Sequence, residues 1–200
     1  MSKSLKLDSL KKRMQEDKSL PLRNGAKNLV FGEGNPSTIV FFLGEGPGYW
    51  EDVKGRPFVG NAGGLLNHLL LSIDLKRDDV FITNVVSFRP PENRDPTDEE
   101  IRAFSPYIDE MIEIIRPKIV VTLGRFSMAK FLPGVKISAV HGRIYDVNWK
   151  GRIIKVIPMY HPAAALRRAE IMGQIKEDFL KIPGILKETK VLKGEQIKLI

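Results

Sequence analysis

Apolar residues along the chain occur in two patterns, short unbroken runs and longer stretches with helical spacing. The short runs are rich in β-branched residues, and such runs are typical of strands that are covered on both faces of a sheet. They predict four strands, at residues 38–43, 80–86, 118–123 and 152–158.

Helical spacing dominates the segments between these strands. The clearest helix begins after Thr97, which forms a capping-box pattern with Glu100. Apolar residues then recur every three or four positions from Ile101 to Ile115. Pro106 inside this segment predicts a kink or a late start. Further helices are predicted at residues 5–16, 64–73, 126–131 and 166–181.

Strands that alternate with helices favour right-handed crossovers and a parallel sheet with helices on both faces. The predicted fold class is therefore α/β, a three-layer α/β/α sandwich around a central, mainly parallel, four-stranded sheet. Residues 140–156 show the pattern of a late hairpin with its turn near Lys150 and Gly151. We expect residues 1–200 to form a single domain, with a polar, loosely held tail at about 187–200.

Composition narrows the possible chemistry. The sequence contains no cysteine, which excludes disulfides, thiol nucleophiles and cysteine-ligated metals. No apolar run is long enough to span a membrane, and the N-terminus lacks a signal-peptide core, so we expect a cytoplasmic protein. The net charge of +8 favours a polyanionic partner such as nucleic acid, although a basic surface that only aids solubility would give the same number.

Unusual residues follow each predicted strand. A glycine-rich loop, Gly44–Gly48, follows the first strand, Asn84 lies near the end of the second, Gly124 ends the third, and His161 follows the fourth. Ligands of open parallel sheets bind beyond the carboxyl ends of the strands. The sequence therefore predicts one ligand site at this edge.

The glycine loop alone allows two interpretations, a phosphate cradle or a tight exit from the strand. It matches neither a P-loop nor a dinucleotide-binding fingerprint, and Pro47 removes one amide donor. The nearby acids Glu45, Glu51 and Asp52 favour chemistry other than phosphate binding.

Three further residues each have a structural and a functional interpretation. Asn84 is either a core amide that ties down a loop or a reader of the O4 and N3–H edge of a pyrimidine. Phe58 is either a core anchor or a stacking surface for a base. His161 is either a packing histidine or a catalytic group.

Taken together, the motifs resemble those of the uracil-DNA glycosylase superfamily, most closely its family 4. The resemblance covers about residues 17–182, in order and at the expected spacing. It is carried by VFGEGNP (30–36), GEGPGYWED (44–52), GRPFVG (55–60), AGGLL (62–66), TNVVSFRPPENRDP (83–96), PKIVVTLG (117–124) and HPAAALR (161–167).

The resemblance implies a monomeric DNA repair enzyme that flips deoxyuridine out of single- or double-stranded DNA and hydrolyses its N-glycosidic bond. Phe58 would then stack on the uracil, Asn84 would read its edge, and His161 would stabilise the leaving anion. Either Glu45 or Glu51 would orient the attacking water. The backbone of the loop residues Gly44, Gly46, Pro47 and Gly48 would approach the flipped nucleotide.

DNA contacts outside the pocket are also implied by the resemblance, at Arg56, Arg89, Pro162, Leu166, Arg167 and Arg168. Gly46 stands where other families of the superfamily place an aspartate, which leaves the choice of acid open. Gly48 is small where some relatives put a bulky ring against the methyl group of thymine, so thymine must be excluded elsewhere. Tyr49 and Trp50 replace acids; an exposed Trp50 would contact a flanking base, and a buried one would pack in the core.

One departure from the family is large. Family 4 proteins normally hold a [4Fe–4S] cluster on four cysteines, and thiolates are the usual ligands of such clusters. The matching positions in this chain are Asp17, Leu20, Phe88 and Phe104. We therefore predict that the protein has no cluster and no other cofactor or metal, and that apolar packing fills the space.

Two rival functions remain open from the sequence. A non-catalytic or weakly catalytic protein would bind uracil or abasic DNA in the same pocket without turning it over. A nucleotide-phosphate enzyme on a similar sheet is disfavoured, because the chain lacks a phosphate-loop lysine and a ribose-binding acid.

Overall fold

The computed structural model describes residues 1–191, with side chains to residue 189. Its centre is a six-stranded sheet in the order β1-β3-β2-β4-β6-β5. The strands are β1 (Glu33–Gly34), β2 (Val40–Gly44), β3 (Phe81–Asn84), β4 (Ile119–Leu123), β5 (Tyr145–Trp149) and β6 (Arg152–Met159).

The prediction of a four-stranded sheet is wrong in number, although its four strands form the parallel centre, β3-β2-β4-β6. Each edge adds one antiparallel strand. At one edge, β5 is the first arm of the predicted hairpin, which turns at Lys150 and Gly151 with positive φ angles of 47° and 82°. At the other edge, the two-residue strand β1 pairs with β3; it is too short to show a periodic pattern.

Helices cover both faces of the sheet. In chain order they are α1 (Lys3–Glu16), α2 (Tyr49–Lys54), α3 (Asn61–Leu71), α4 (Asp98–Ile115), α5 (Arg125–Ala129), α6 (Ile137–Val140), α7 (Pro162–Ala165), α8 (Ala169–Phe179) and α9 (Ile182–Val191).

Alternating side chains of the central strand β2 separate two apolar cores. Phe41 and Leu43 point to a core shared with α1 and α4, whereas Val40 and Phe42 point to a core shared with α3, α8 and α9. Successive residues of a strand face opposite sides of a sheet, so one buried strand serves both cores. The predicted three-layer α/β/α arrangement is confirmed.

Several helix boundaries and the start of the tail differ from the predictions. Helix α4 begins directly after its Thr97 cap and runs through Pro106, so the expectation of a late start is wrong. The helix predicted at 166–181 is shorter in the structure: α8 starts only at Ala169, because Arg168 before it is extended with φ −141°, and the short helix α7 ends at Ala165, ahead of the predicted segment. The predicted loose tail is wrong at its beginning, since Thr189 is buried within α9; residues 192–200 lie outside the described residues.

The side chains at the four positions that match the cluster cysteines of family 4 proteins do not suit a cluster. Leu20, Phe88 and Phe104 are buried in one apolar core, and the two phenylalanine rings meet edge to face at 6.1 Å. Asp17, at the edge, accepts a 2.6 Å hydrogen bond from Tyr107 Oη. None of these side chains offers a thiolate, and three of them have no ligand atom at all.

Among residues 1–191, no helix is both long enough and apolar enough to cross a membrane. No group of three or more histidine, cysteine, aspartate or glutamate side chains in the described chain is arranged to hold a metal ion.

Candidate active site

A pocket of about 390 Å³ opens at the carboxyl ends of the parallel strands. The predicted ligand edge of the sheet therefore does carry a cavity. Nine of the residues singled out from the sequence line it: Glu45, Gly46, Pro47, Gly48, Glu51, Phe58, Asn84, His161 and Arg167.

Asn84 ends strand β3 and lines this pocket while only 1% exposed. Neither its Nδ2 nor its Oδ1 has a hydrogen-bond partner among the described residues. A buried amide without partners costs free energy, and such groups are rare unless a ligand satisfies them. The side chain therefore presents one donor and one acceptor to whatever fills the pocket.

Phe58 forms one wall beside Asn84. Its ring lies 5.6 Å from the His161 ring, with 28° between the two planes. Its backbone has a positive φ of 50°, which is uncommon for a large side chain and fixes the ring at the pocket wall. Gly44 makes room for both groups, because a Cβ atom there would lie 2.3 Å from Asn84 Oδ1 and 2.6 Å from Phe58 Cζ.

His161 is the N-cap residue of α7, and its Nδ1 accepts a 3.1 Å hydrogen bond from the backbone N–H of Ala163. An imidazole whose Nδ1 accepts carries its proton on Nε2. Burial lowers the pKa of His161 to about 4, with Arg167 adding to the effect and Glu51 opposing it. At neutral pH the side chain is therefore an uncharged ring with one N–H donor.

Glu45 follows β2 and reaches across to the start of α5, where its Oε1 accepts a 3.1 Å hydrogen bond from the backbone N–H of Phe126. Burial raises the pKa of Glu45; the bond from Phe126 opposes this, and the charge of Asp95 reinforces it. A raised pKa makes the ionised carboxylate a stronger base than an ordinary glutamate.

Glu51, on α2, is bonded differently from Glu45. Its Oε1 accepts from the backbone N–H groups of Val59 and Gly60, at 2.8 and 2.7 Å, and its Oε2 accepts from that of Gly48 at 3.2 Å. These bonds tie the glycine loop to the segment after Phe58. The neighbouring Asp52 holds another loop by accepting from the backbone N–H groups of residues 27 and 28.

The remaining predicted site residues lie outside the pocket. Gly44 is beneath it, Pro162 is buried in the first turn of α7, and Leu166 is exposed beside it. Arg56 donates two hydrogen bonds to Glu33, and Arg89 donates to Asn93. Arg168 is exposed at the start of α8. The assignment of Gly44 to the flipped nucleotide, and of the other residues to DNA contacts, stays a prediction.

The sequence interpretation missed part of the lining. The pocket is also bounded by Ala62, Pro90, Asn93, Arg94, Asp95, Pro96, Ala163 and Ala164. In the run RPPENRDP the sequence predicts a DNA contact at Arg89, whereas Pro90 and residues 93–96 of the same run line the pocket. Within that run, Glu92 and Asn93 adopt left-handed conformations with φ 54° and 56°. Left-handed conformations of residues other than glycine are difficult to predict from a sequence.

The chain is similar to known proteins over most of its length. A family model described as the uracil DNA glycosylase superfamily matches residues 31–182. The chain is 44% identical over 182 residues to a type-4 uracil-DNA glycosylase of Archaeoglobus fulgidus, covering 88% of this chain and 91% of that protein. A type-4 uracil-DNA glycosylase of Sulfurisphaera tokodaii is 46% identical over 182 residues, with coverages of 88% and 83%. One of Thermotoga maritima is 41% identical over 184 residues, with coverages of 91% and 95%.

Proposed function

The chain belongs to the uracil DNA glycosylase superfamily, and on that premise we propose that it removes uracil from DNA by hydrolysing the N-glycosidic bond of deoxyuridine. The products are free uracil and an abasic site. Because a base inside a duplex is stacked and paired, the target nucleotide must leave the base stack to enter this pocket.

Asn84 carries this proposal, because its buried amide has no partner among the described residues. Its Nδ2–H suits O4 of uracil, and its Oδ1 suits N3–H. Cytosine presents an amino group and an unprotonated N3 at the same positions, so each hydrogen bond would meet the wrong partner. Phe58 beside it offers a ring face on which the base stacks.

His161 is the group that we assign to the leaving uracil. As the bond from N1 to the sugar C1′ breaks, its electron pair stays with the base and negative charge spreads to O2. A neutral imidazole that donates from Nε2 stabilises this charge without needing a proton of its own. The uracil anion then takes a proton from solvent.

Glu45 is the acid that we assign to the attacking water. The water oxygen bonds to C1′, and its proton passes to the carboxylate. Glu45 is held through its Oε1 by the backbone N–H of Phe126 and has a pKa that burial raises, whereas both oxygens of Glu51 accept backbone hydrogen bonds. Glu51 therefore acts as a positioning residue that fixes the loop around the nucleotide.

Single-stranded and double-stranded oligonucleotides containing one deoxyuridine test the proposal. After incubation and alkali, strand scission at the deoxyuridine indicates a glycosylase. Retention of the DNA without scission indicates a protein that only binds it, and no interaction indicates a different kind of ligand. Scission of both substrates would also support the proposal that the enzyme accepts both forms of DNA.

We further propose that the protein folds and works without an iron–sulfur cluster, as a monomer in the cytoplasm. The packing of Leu20, Phe88 and Phe104 supports the first point, since those side chains cannot ligate iron. A purified protein with an absorbance band in the visible blue and stoichiometric iron would contradict it. Sedimentation would test the monomer, and cell fractionation the location.

A further inference from the structure

A groove of about 540 Å³ lies beside the active-site pocket, with Trp50 and Leu166 among the residues that line it. Two pairs of consecutive residues connect the cavities. Trp50 lines the groove and Glu51 the pocket; Leu166 lines the groove and Arg167 the pocket. If one nucleotide of a DNA strand occupies the pocket, the adjacent nucleotide of the same strand therefore lies at the groove.

Trp50 is a large aromatic side chain that is 54% exposed, and Leu166 is 48% exposed. Apolar side chains grouped on a surface mark an interaction site more often than single ones do. Two neighbours pack against the indole of Trp50. The Tyr49 ring meets it edge to face at 5.2 Å, and Gly60 lies so close that a Cβ atom there would be 3.6 Å from Trp50 Cδ1. These contacts restrict the position of the indole.

Cations surround these aromatic rings. Lys54 Nζ lies 5.9 Å from the centre of the Trp50 ring, and Lys27 Nζ and Arg89 Cζ lie 5.7 and 5.3 Å from that of Tyr49. A partner for this surface needs flat apolar groups joined by negative charges. A strand of nucleic acid has that chemistry.

We propose that the groove binds the nucleobase next to the excised uracil on the same strand, with Trp50 as its stacking surface. The inference rests on the proposed function, because it assumes that deoxyuridine occupies the neighbouring pocket. Stacking does not depend on base identity, so the groove adds affinity without adding sequence preference.

Gly64 offers a second, independent way to test the groove. It lies on the exposed side of α3 and lines the groove, and no atom would lie within 4 Å of a Cβ there. Gly64→Leu would place a side chain where the base is proposed to sit. Because leucine favours helix more than glycine does, this variant should not melt earlier than the wild type.

Binding is best measured by fluorescence anisotropy on short single strands that carry an abasic analogue at the centre, so that no turnover occurs. One strand keeps both flanking bases, and matched strands lack the base on one side or the other. Trp50→Ala should weaken binding to the first strand roughly fivefold to a hundredfold. It should have little effect on the strand that lacks the stacked base, and Trp50→Phe should fall between.

Leu71→Ala is the matched control, since Leu71 is an exposed apolar residue of α3 outside the groove, and it should bind like the wild type. The inference is overturned if Trp50→Ala loses the same factor on all strands, or if Gly64→Leu binds as tightly as the wild type. Uracil release by the wild type from the matching deoxyuridine strand is measured in parallel. If uracil is released but the effect of Trp50→Ala does not depend on the flanking base, this inference alone is wrong. If no uracil is released, the proposed function is wrong.

Discussion

At the scale of single residues, the two glutamates of the site are separated by their hydrogen bonds. Glu45 accepts from the backbone N–H of Phe126 at the start of α5, whereas Glu51 accepts from three backbone N–H groups through both of its oxygens. From the sequence, either acid could serve as the base, because Glu45 lies within the glycine loop and Glu51 follows it closely. The bond from Phe126 to Glu45 joins residues 81 positions apart, and no local pattern reveals it.

The two glutamates should respond differently to replacement by glutamine. Glu45→Gln removes the base, so the single-turnover rate should fall about 10²- to 10⁴-fold. Burial raises the folded-state pKa of Glu45 above its unfolded value, so its ionised form costs stability once the pH rises through that pKa. The neutral variant should therefore melt no earlier at neutral pH. Glu51→Gln should melt earlier, because its amide N–H₂ would face a backbone N–H. Equal changes in melting temperature would contradict the assignment.

His161→Ala should lower the single-turnover rate about 10²- to 10³-fold while leaving DNA affinity nearly intact, since its donor acts on charge that appears only in the transition state. His161 also caps α7, so His161→Asn, which keeps a side-chain acceptor for that cap, is the matched control for stability. Early melting and weak binding by both variants would show a packing histidine instead.

The pH dependence of the rate follows from the same two residues. The enzyme needs Glu45 ionised and His161 neutral, and the pKa of His161 is about 4 while that of Glu45 is raised. On lowering the pH, Glu45 gains its proton first. The single-turnover rate should therefore fall at a pH above the usual range of a glutamate. A rate that declines only near pH 4 would make His161 the group that limits it.

Asn84→Asp should weaken uracil excision about 10- to 100-fold, because the variant loses the donor to O4 and buries an additional charge. Excision from cytosine-containing DNA is the informative comparison, since the cytosine amino group needs an acceptor. Full activity on uracil would remove Asn84 from base recognition.

At the scale of elements, the sequence predicts well what depends on continuous local patterns. The four parallel strands and α4 follow from unbroken apolar runs and a capping box, and their places are confirmed. Helix α2 was missed because its six residues, Tyr49–Lys54, are too few for a periodic pattern. The edge strand β1 was missed for the same reason. Its two residues form a strand because they pair with β3, and not because of a pattern of their own.

The packing that stands where relatives place a cluster belongs to this scale too. Phe88 joins the segment after β3 to α4 through its contact with Phe104, so Phe88→Ala should lower the free energy of unfolding by about 3–5 kcal/mol. Phe88→Leu, which keeps most of the apolar volume, should cost less than half as much. Chemical denaturation measures both. Equal losses would indicate that ring geometry matters more than volume.

At the scale of the whole molecule, the net charge of +8 gives DNA binding a dependence on salt. Arg167 is exposed and lines the pocket, so Arg167→Ala should reduce the slope of log affinity against log salt by about one. Arg56→Ala should change the slope less, because Arg56 is paired with Glu33. A larger change for Arg56 would mean that the ion pair opens when DNA binds.

The bond between Glu51 and the amide of Gly48 restricts how this protein can evolve. A Cβ atom at position 48 would lie 2.9 Å from Glu51 Oε2, and that carboxylate is held by two other amides on its far oxygen. A side chain at position 48 therefore requires a change at position 51 as well. Positions 48 and 51 are therefore expected to change together, because a bulky ring at position 48 would displace the carboxylate that holds the loop.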